Sequence, residues 1–250
     1  MKDSLFEFCA ENLKAARAAE AGGANRVELC DRLSIGGVTP NLHLIKTTIQ
    51  TLHLPVHVLI RPRGGDFIYS AHEFEQMQRQ IEESKQAGAA GVVLGLLHPD
   101  GRVDVEQSRT LVELAHPMKV TFHRAFDASP NLSEALEAVV ETGADCLLTS
   151  GGESNVLAGA AAVALLRKQA FGRLDVMAGG GLSLSNLVDV VQQTGVSHLH
   201  GSLSWKLDNG DDAIQRQAKD PSILESDVRE AVRLFRRELE KRKTPAKSQS

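Results

Sequence analysis

The stretch QAGAAGVVL (86–94) joins the end of a predicted helix to a short apolar strand through a glycine, and similar stretches recur along the chain. They are AGGANRVEL (21–29), ETGADCLLT (141–149) and QTGVSHLHG (193–201). The joining glycines are 65, 55 and 52 residues apart, in the order Gly23, Gly88, Gly143 and Gly195. Each interval is close to two strand–helix units, so the copies precede predicted strands 2, 4, 6 and 8. A glycine at this place is typical of a helix end in the left-handed conformation.

The rest of the chain continues this alternation of short apolar, β-branched runs with longer helical ones. The predicted strands are Leu5–Cys9, Arg26–Cys30, Pro55–Ile60, Gly91–Leu96, Lys119–His123, Asp145–Thr149, Leu174–Ala178 and Ser197–His200. The predicted helices are 11–22, 41–51, 71–87, 105–115, 132–142, 155–170 and 184–194, with a last one near 226–241. Ser70 and Glu73 have the spacing of a capping box for the third helix.

Eight strand–helix units in 250 residues predict an α/β fold, a (β/α)8 barrel of the TIM type. A doubly wound open sheet is the alternative, but it rarely needs eight such even units. We expect a single domain over 1–243 with a C-terminal helix, and strands that are continuously apolar because both of their faces are covered. We also expect a loop over 206–224 and a disordered tail over 244–250.

Composition indicates an ordinary soluble globular protein, with 42% hydrophobic and 24% charged residues, and excludes a disordered chain. The net charge of -4 predicts no general attraction to nucleic acid or to anionic membranes. Three cysteines are too few for a disulfide framework in a chain of this length, which favours a reducing, cytoplasmic location. No apolar run approaches the roughly 18 residues of a membrane helix. A homodimer through exposed helix faces is an expectation from the fold class alone.

The carboxyl ends of the predicted strands are unusually polar, and this is the face on which such barrels carry their active sites. The candidate catalytic residues are Glu7, Glu28, His123, Arg124 and Asp127. Histidine can move protons near neutral pH, a glutamate in the barrel mouth can be its partner, and Asp127 can orient the group. The alternative is a buried Glu–Arg–His network that only closes the top of the barrel.

Arginines and glycines at the same ends predict a site for a small anion. The candidate residues are Arg61, Arg63, Asp66, Thr149, Ser150, Gly179, Gly180 and Gly181. The loops after strands 7 and 8 of such barrels often bind phosphate, and an arginine can add a bidentate contact. The alternative is that the glycines merely permit a turn and that the arginines pair with Glu28 or Asp66.

Cys9 and Cys30 occupy late positions of neighbouring predicted strands and are the candidate metal ligands. A soft ion bridging two thiolates linearly needs sulfurs roughly 4.6 Å apart, and thiolates favour Cu(I). The alternative is that both are small buried hydrophobes, as we expect for Cys146. A zinc or iron site of His198 and His200 with His123 and Glu7 or Glu28 is also open. No motif predicts a nucleotide cofactor.

Several runs of the sequence resemble the copper homeostasis protein CutC family. They are RVELC (26–30), GGVTP (36–40), IRPRGGDFIYS (60–70), VTFHRAFD (120–127), LLTSG (147–151) and MAGGG (177–181). The resemblance covers about Leu5 to Ser202 and implies a cytosolic TIM-type barrel with a role in copper handling. It also implies that Cys9 and Cys30 stand where the family's proposed copper-binding cysteines lie.

Two functional hypotheses follow. The first is copper homeostasis through Cu(I) binding at Cys9 and Cys30. The second is a TIM-barrel enzyme, of undefined reaction, that acts on a small anionic or phosphorylated substrate at the carboxyl ends of the strands. The convergence of polar side chains from many strands favours the enzyme, whereas the resemblance favours copper.

Overall fold

The computed structural model describes residues 4–203 and 221–243, and in it eight parallel strands close into a barrel in chain order. The strands are β1 (Leu5–Ala10), β2 (Arg26–Leu29), β3 (Val56–Leu59), β4 (Gly91–Leu94), β5 (Lys119–Phe122), β6 (Cys146–Thr149), β7 (Asp175–Gly179) and β8 (His198–Gly201). The helices are α1 (Leu13–Ala21), α2 (Leu42–Thr51), α3 (Ala71–Ala87), α4 (Val105–Ala115), α5 (Leu132–Thr142), α6 (Ala160–Ala170), α7 (Leu187–Thr194) and α8 (Pro221–Lys243). The predicted (β/α)8 barrel is therefore confirmed.

The bounds of the predicted strands agree with the structure to within two residues, and the predicted helix signals are present. The Ser70 side chain accepts a hydrogen bond from the Glu73 backbone N–H, and the Glu73 side chain accepts one from the Ser70 backbone N–H. The predicted capping box is therefore confirmed. Gly88, Gly143 and Gly195 each follow a helix in the left-handed conformation, as the repeat predicts.

Helix α6 is shorter than predicted, because it begins at Ala160 and not near residue 155. A Cβ atom at Gly159 would lie 1.8 Å from the backbone oxygen of Ser150, so the chain crosses itself closely here. The Asn155 side chain accepts hydrogen bonds from the backbone N–H groups two and three residues later, which holds a turn in place of helix. Helical periodicity does not encode this contact, because Ser150 lies outside the predicted helix, just after the end of β6.

Helix α8 begins at Pro221, five residues earlier than predicted, where a proline loses no backbone hydrogen bond. Residues 221–224 of the predicted loop are therefore helical. The rest of that loop, 206–220, and the predicted tail, 244–250, lie outside the described residues. Helix α8 packs against α1 and α7. Neither it nor any other helix within 4–203 and 221–243 is long and apolar enough to cross a membrane.

The interior of the barrel is polar, so the expectation of continuously apolar strands is wrong. Outward-facing side chains such as Phe6, Phe8 and Leu29 belong to the large core beneath the helices. Among the described residues, inward-facing apolar side chains form two small clusters, one around Cys9 and Cys30 and one around Cys146, Leu148 and Met177. On β1, β2 and β8 they share the interior with the ionisable side chains of Glu7, Arg26, Glu28 and His200.

Glu7, wholly buried on β1, is the centre of this charged interior. Its Oε2 accepts a hydrogen bond from Arg26 Nε at 2.5 Å, and its Oε1 is 2.8 Å from His200 Nδ1. Arg26 and His200 are its Cα partners on the two neighbouring strands, β2 and β8. Burial alone would raise the pKa of Glu7, but Arg26 and His200 hold it well below its usual range. Glu7 is therefore a carboxylate that ties the last strand of the barrel to the first two.

We expect Arg26→Met to lower the free energy of unfolding by about 3–5 kcal/mol, because it leaves the Glu7 carboxylate buried with its main counter-charge removed. The double variant Glu7→Gln/Arg26→Met should recover much of this loss, since it removes both charges. Equilibrium urea denaturation measures the free energies.

The control is Arg173→Met, which removes a solvent-exposed pair with Glu137 and should leave the free energy of unfolding nearly unchanged. An Arg26→Met effect no larger than that of Arg173→Met would contradict the structural role given to the buried pair.

Candidate functional site

A cavity of about 580 Å³ opens at the carboxyl ends of the strands. Side chains at or just after the ends of β1, β2, β3, β5, β6 and β8 line it, together with the loops that follow β2, β3 and β7. The lining residues are Cys9, Glu28, Cys30, Leu33, Ser34, Gly36, Gly37, Leu59, Arg61, Phe67, His123, Arg124, Leu148, Gly180, Gly181, Leu182, His200, Gly201 and Ser202. This is the face on which the sequence places its polar residues.

The two predicted cysteine ligands meet at the floor of this cavity. The Cα partner of Cys9 in the ladder is Glu28, so Cys30 lies two residues further along and is not directly opposite. Their sulfur atoms are nevertheless 3.5 Å apart, and both side chains are buried free thiols. The separation is shorter than the roughly 4.6 Å that linear two-thiolate coordination needs.

Glu28 and His200 complete the floor. One donor atom each from Cys9, Glu28 and His200 lies within 4.8 Å of the others, the spacing of a metal-binding group. His200 Nε2 is 3.3 Å from Glu28 Oε2, while its Nδ1 is held by Glu7. A carboxylate on one ring nitrogen, with the other nitrogen facing the site, is the usual arrangement of a metal-binding histidine.

Burial and neighbouring charges set the protonation of the floor. Burial raises the pKa of Glu28 to about 7, although His200 opposes this. Burial lowers the pKa of His200, but Glu28 and Glu7 outweigh it and the net direction is upward. The hydrogen bond to Cys30, with burial, raises the pKa of Cys9 well above its usual range. Without a metal, Cys9 is therefore a protonated thiol at neutral pH.

The histidines of the predicted zinc or iron site are not brought together. His200 joins Cys9 and Glu28, whereas His198 lines a second cavity at the opposite end of the barrel, with Lys119 and Asp175. His123 also lines the first cavity but is not part of the group of potential metal ligands. Cys146 packs with Leu148 and Met177 and is buried away from the other cysteines.

Arg61 is a buried cation in the wall of the cavity, with only 4% of its surface exposed. Its Nη1 donates to the backbone oxygens of Ile35 and Gly37, and its Nη2 donates to that of Gly65. These bonds fasten the loop after β2 to the loop after β3. Gly36 and Gly37 also line the cavity and were not predicted as site residues. The GGVTP run (36–40), to which they belong, is the sequence signal that marks them.

His123 is buried next to Arg61 and is held in a defined tautomer. Its Nδ1 accepts a hydrogen bond from the Ala125 backbone N–H at 3.2 Å, so the ring proton is on Nε2. Burial, with the charge of Arg61, lowers the pKa of His123 to about 3. His123 is therefore neutral near pH 7 with a hydrogen-bond donor at Nε2, and its predicted role in moving protons stays a prediction.

Arg124 and Asp127 form a brace at the ends of β5 and β6. Arg124 Nε donates to Asp127 Oδ2 at 2.8 Å, and its Nη2 donates to Ser150 Oγ at 2.9 Å. Asp127 also accepts from the Thr149 hydroxyl and from the backbone N–H of Ser150. Of these residues only Arg124 lines the cavity, against Gly180, where a Cβ atom would lie 2.8 Å from its guanidinium carbon.

Three other candidate anion ligands lie apart from the lining. Arg63 Nε donates to Glu73 at 2.6 Å and its Nη2 donates to Asp66 at 2.9 Å, on the surface of the loop after β3. The open alternative that an arginine pairs with Asp66 is thus realised by Arg63. Gly179 is buried, and a Cβ atom there would lie 3.0 Å from His200 Cβ. The absence of a side chain at this position therefore leaves space for His200.

The fold and this cavity define a class, the (β/α)8-barrel proteins with a ligand cavity at the carboxyl ends of their strands. Residues 4–205 match the CutC family. A family protein CutC of Chromobacterium violaceum is 46% identical over 200 residues, which are 80% of this chain and 81% of the relative. The chain belongs to the CutC family, which confirms the resemblance found in its motifs.

Two further relatives carry copper in their descriptions. The copper homeostasis protein cutC homolog of Homo sapiens is 42% identical over 206 residues, covering 82% of this chain and 76% of the relative. A crystal structure of CutC from Streptococcus agalactiae, described as a candidate copper homeostasis protein, has a TM-score of 0.76 at 33% identity. It covers 80% of this chain and 98% of that one.

The buried neutral state of His123 predicts a pH dependence of stability. Its pKa is lowered from 6.5 to about 3 in the folded chain, so between these values unfolding takes up a proton and stability falls as the pH falls. We expect His123→Gln to reduce the slope of unfolding free energy against pH, between about pH 5.5 and about pH 4, by about 1.4 kcal/mol per pH unit. Urea denaturation at several pH values measures this slope.

His53→Gln is the control, because 96% of the His53 side chain is exposed in the folded chain. An unchanged slope in His123→Gln would mean that His123 is not kept neutral by the fold.

Proposed function

We propose that this CutC-family chain binds Cu(I) at the floor of the cavity, with Cys9 and Cys30 as thiolate ligands and His200 as the third ligand. The observation that carries the proposal is the 3.5 Å separation of the two sulfur atoms, with His200 and Glu28 beside Cys9. Copper homeostasis in the descriptions of the human and streptococcal relatives supports the same role.

The donor set fits a soft ion. Two corners of a tetrahedron with metal–sulfur bonds of about 2.3 Å are about 3.8 Å apart, which is closer to the observed 3.5 Å than the roughly 4.6 Å of a linear pair. The sulfur positions therefore favour a site with ligands beyond the two thiolates, and the His200 imidazole is the nearest nitrogen donor. Thiolate ligands select Cu(I) over harder ions. When bound, the ion would supply a buried positive charge at the floor.

The chain's own residues prepare this site. Glu7 holds Nδ1 of His200, so that Nε2 faces the floor. Cys9 carries a proton in the metal-free protein, and metal binding would displace the thiol protons of Cys9 and Cys30 and any proton on Nε2 of His200. Glu28, with its pKa raised to about 7, is placed to accept one of these protons, and the others would leave to solvent through the cavity. Reduced thiols are a condition for the site, which is why we place the protein in the cytosol.

A Cu(I) titration of the reduced protein against a competing chelator tests the proposal. We expect one tightly bound ion per chain, and a loss of affinity of at least about a hundredfold in Cys9→Ser/Cys30→Ser, because hydroxyls are poor ligands for a soft ion. His200→Gln should weaken binding by about tenfold or more, since it removes the nitrogen ligand.

Cys146→Ser is the matched control, because Cys146 is a buried thiol outside the cavity, and it should bind like the wild type. Binding unchanged in the Cys9→Ser/Cys30→Ser variant, or lost equally in Cys146→Ser, would overturn the site.

The second candidate function is an enzyme that acts on a small anionic substrate in the same cavity. The observation that favours it is volume: about 580 Å³ is a typical small-molecule pocket and far exceeds what one ion needs. We expect a screen of small anionic metabolites to find a turnover that the Arg61→Gln/His123→Leu variant loses and the cysteine double variant keeps. Turnover lost in the cysteine variant alone would contradict this division of roles.

A further inference from the structure

We infer that the part of the cavity lined by Arg61 and His123 is a binding site for the carboxylate group of a small organic molecule, held by these two side chains. The site goes beyond Cu(I) binding and does not require it. For the second candidate function it names the substrate class, but binding there does not depend on whether a reaction follows.

The first argument is the charge of Arg61. It is 96% buried, and its three hydrogen bonds go to backbone carbonyls, which are neutral acceptors. No carboxylate of the described residues forms an ion pair with it. Arg26, Arg63 and Arg124, by contrast, each pair with an acid at 2.9 Å or less. A buried charge without a counter-ion is costly, and an anion in the cavity beside it would offset that cost.

The second argument is the orphaned donor of His123. The side chain is 94% buried and its Nε2, which carries the ring proton, has no hydrogen-bond partner among the described residues. A buried donor without an acceptor costs about 1–3 kcal/mol. Gly95 leaves the space for this ring, since a Cβ atom there would lie 2.5 Å from Nδ1. His123 lines the cavity, and its neutral N–H donor has no partner among the described residues.

Arg61 and His123 both pack against the ring of Phe67. The Arg61 guanidinium carbon is 4.9 Å from the centre of the Phe67 ring, and the His123 ring centre is 5.0 Å from it. The positive charge of Arg61 also lowers the pKa of His123, so the two groups lie within electrostatic range of each other. A cation and a neutral donor next to each other match the two oxygens of one oxyanion.

The balance of charge selects a monoanion. Arg124 is compensated by Asp127, Glu7 by Arg26, and Glu28 faces His200. Arg61 is the remaining cation of the lining, so a single negative charge completes the cavity. A carboxylate carries one charge, whereas a phosphate monoester carries nearly two at neutral pH. The charge count therefore favours a carboxylate over the phosphorylated substrate that the fold class suggests.

Binding of pyruvate and acetate to the metal-free protein tests this inference. Saturation-transfer NMR and calorimetry at pH 8 and fixed ionic strength would compare them with inorganic phosphate, which is then a dianion. We expect both carboxylates to bind more tightly than phosphate, and Arg61→Gln to weaken them by at least about tenfold, since it removes a buried cation that no carboxylate of the described residues pairs with.

Matched variants keep the test informative if Arg61→Gln folds poorly. His123→Gln offers an N–H near the position of Nε2 and should bind pyruvate within a few-fold of the wild type, whereas His123→Leu should weaken it by about tenfold. Arg63→Gln, on the same loop but outside the lining, should bind like the wild type.

Cys9→Ser/Cys30→Ser should also keep pyruvate binding, which separates this site from the copper proposal. Absence of carboxylate binding, tighter binding of phosphate, or an equal loss in Arg63→Gln would overturn the inference.

Discussion

The buried contact between Glu7 and its two neighbours is the interaction on which the rest of the structure depends. Glu7 is wholly buried and contacts both Arg26 on β2 and His200 on β8. His200 lies 193 residues after Glu7 in the chain. The same carboxylate therefore links β8 to β1 and β2 and orients the His200 imidazole at the cavity floor. Because charges buried inside a barrel must be paired, the interior cannot be packed as an ordinary apolar core, and its apolar side chains are confined to two small clusters. Stability and the geometry of the site are thus linked through one side chain.

The cavity has two chemically different halves. The floor holds sulfur, imidazole and carboxylate donors, and the wall above it holds Arg61 and His123. Glycines give these large side chains their space: Gly95 beside His123, and Gly180 beside Arg124. A soft ion and a carboxylate ligand are not competitors in such an arrangement, because they use different donors. Both proposals therefore concern one cavity, and each is tested without the other.

Much of the fold could be predicted from local pattern, and the departures have local causes. The strands follow from short β-branched runs such as VTF (120–122), and the helix ends follow from glycines such as Gly143. The start of α6 was missed because the chain at Gly159 passes close to Ser150, a contact that periodicity does not encode. The polar interior was not predicted because the alternation of side chains along a strand does not show which of its two faces points into the barrel.

The candidate site divides in the same way. Sequence alone determined which strand ends carry polar residues and that Cys9, Cys30, Arg61 and His123 belong to one face of one barrel. Only the tertiary structure decided that Cys9 lies level with Glu28, that His200 faces the floor while His198 lines the opposite end, and that Arg63 turns to Asp66 and Glu73. The physical reason is that strand register and side-chain direction are set by hydrogen bonds and ion pairs between residues far apart in the chain. Residue type and spacing report what is available, and barrel closure decides which groups meet.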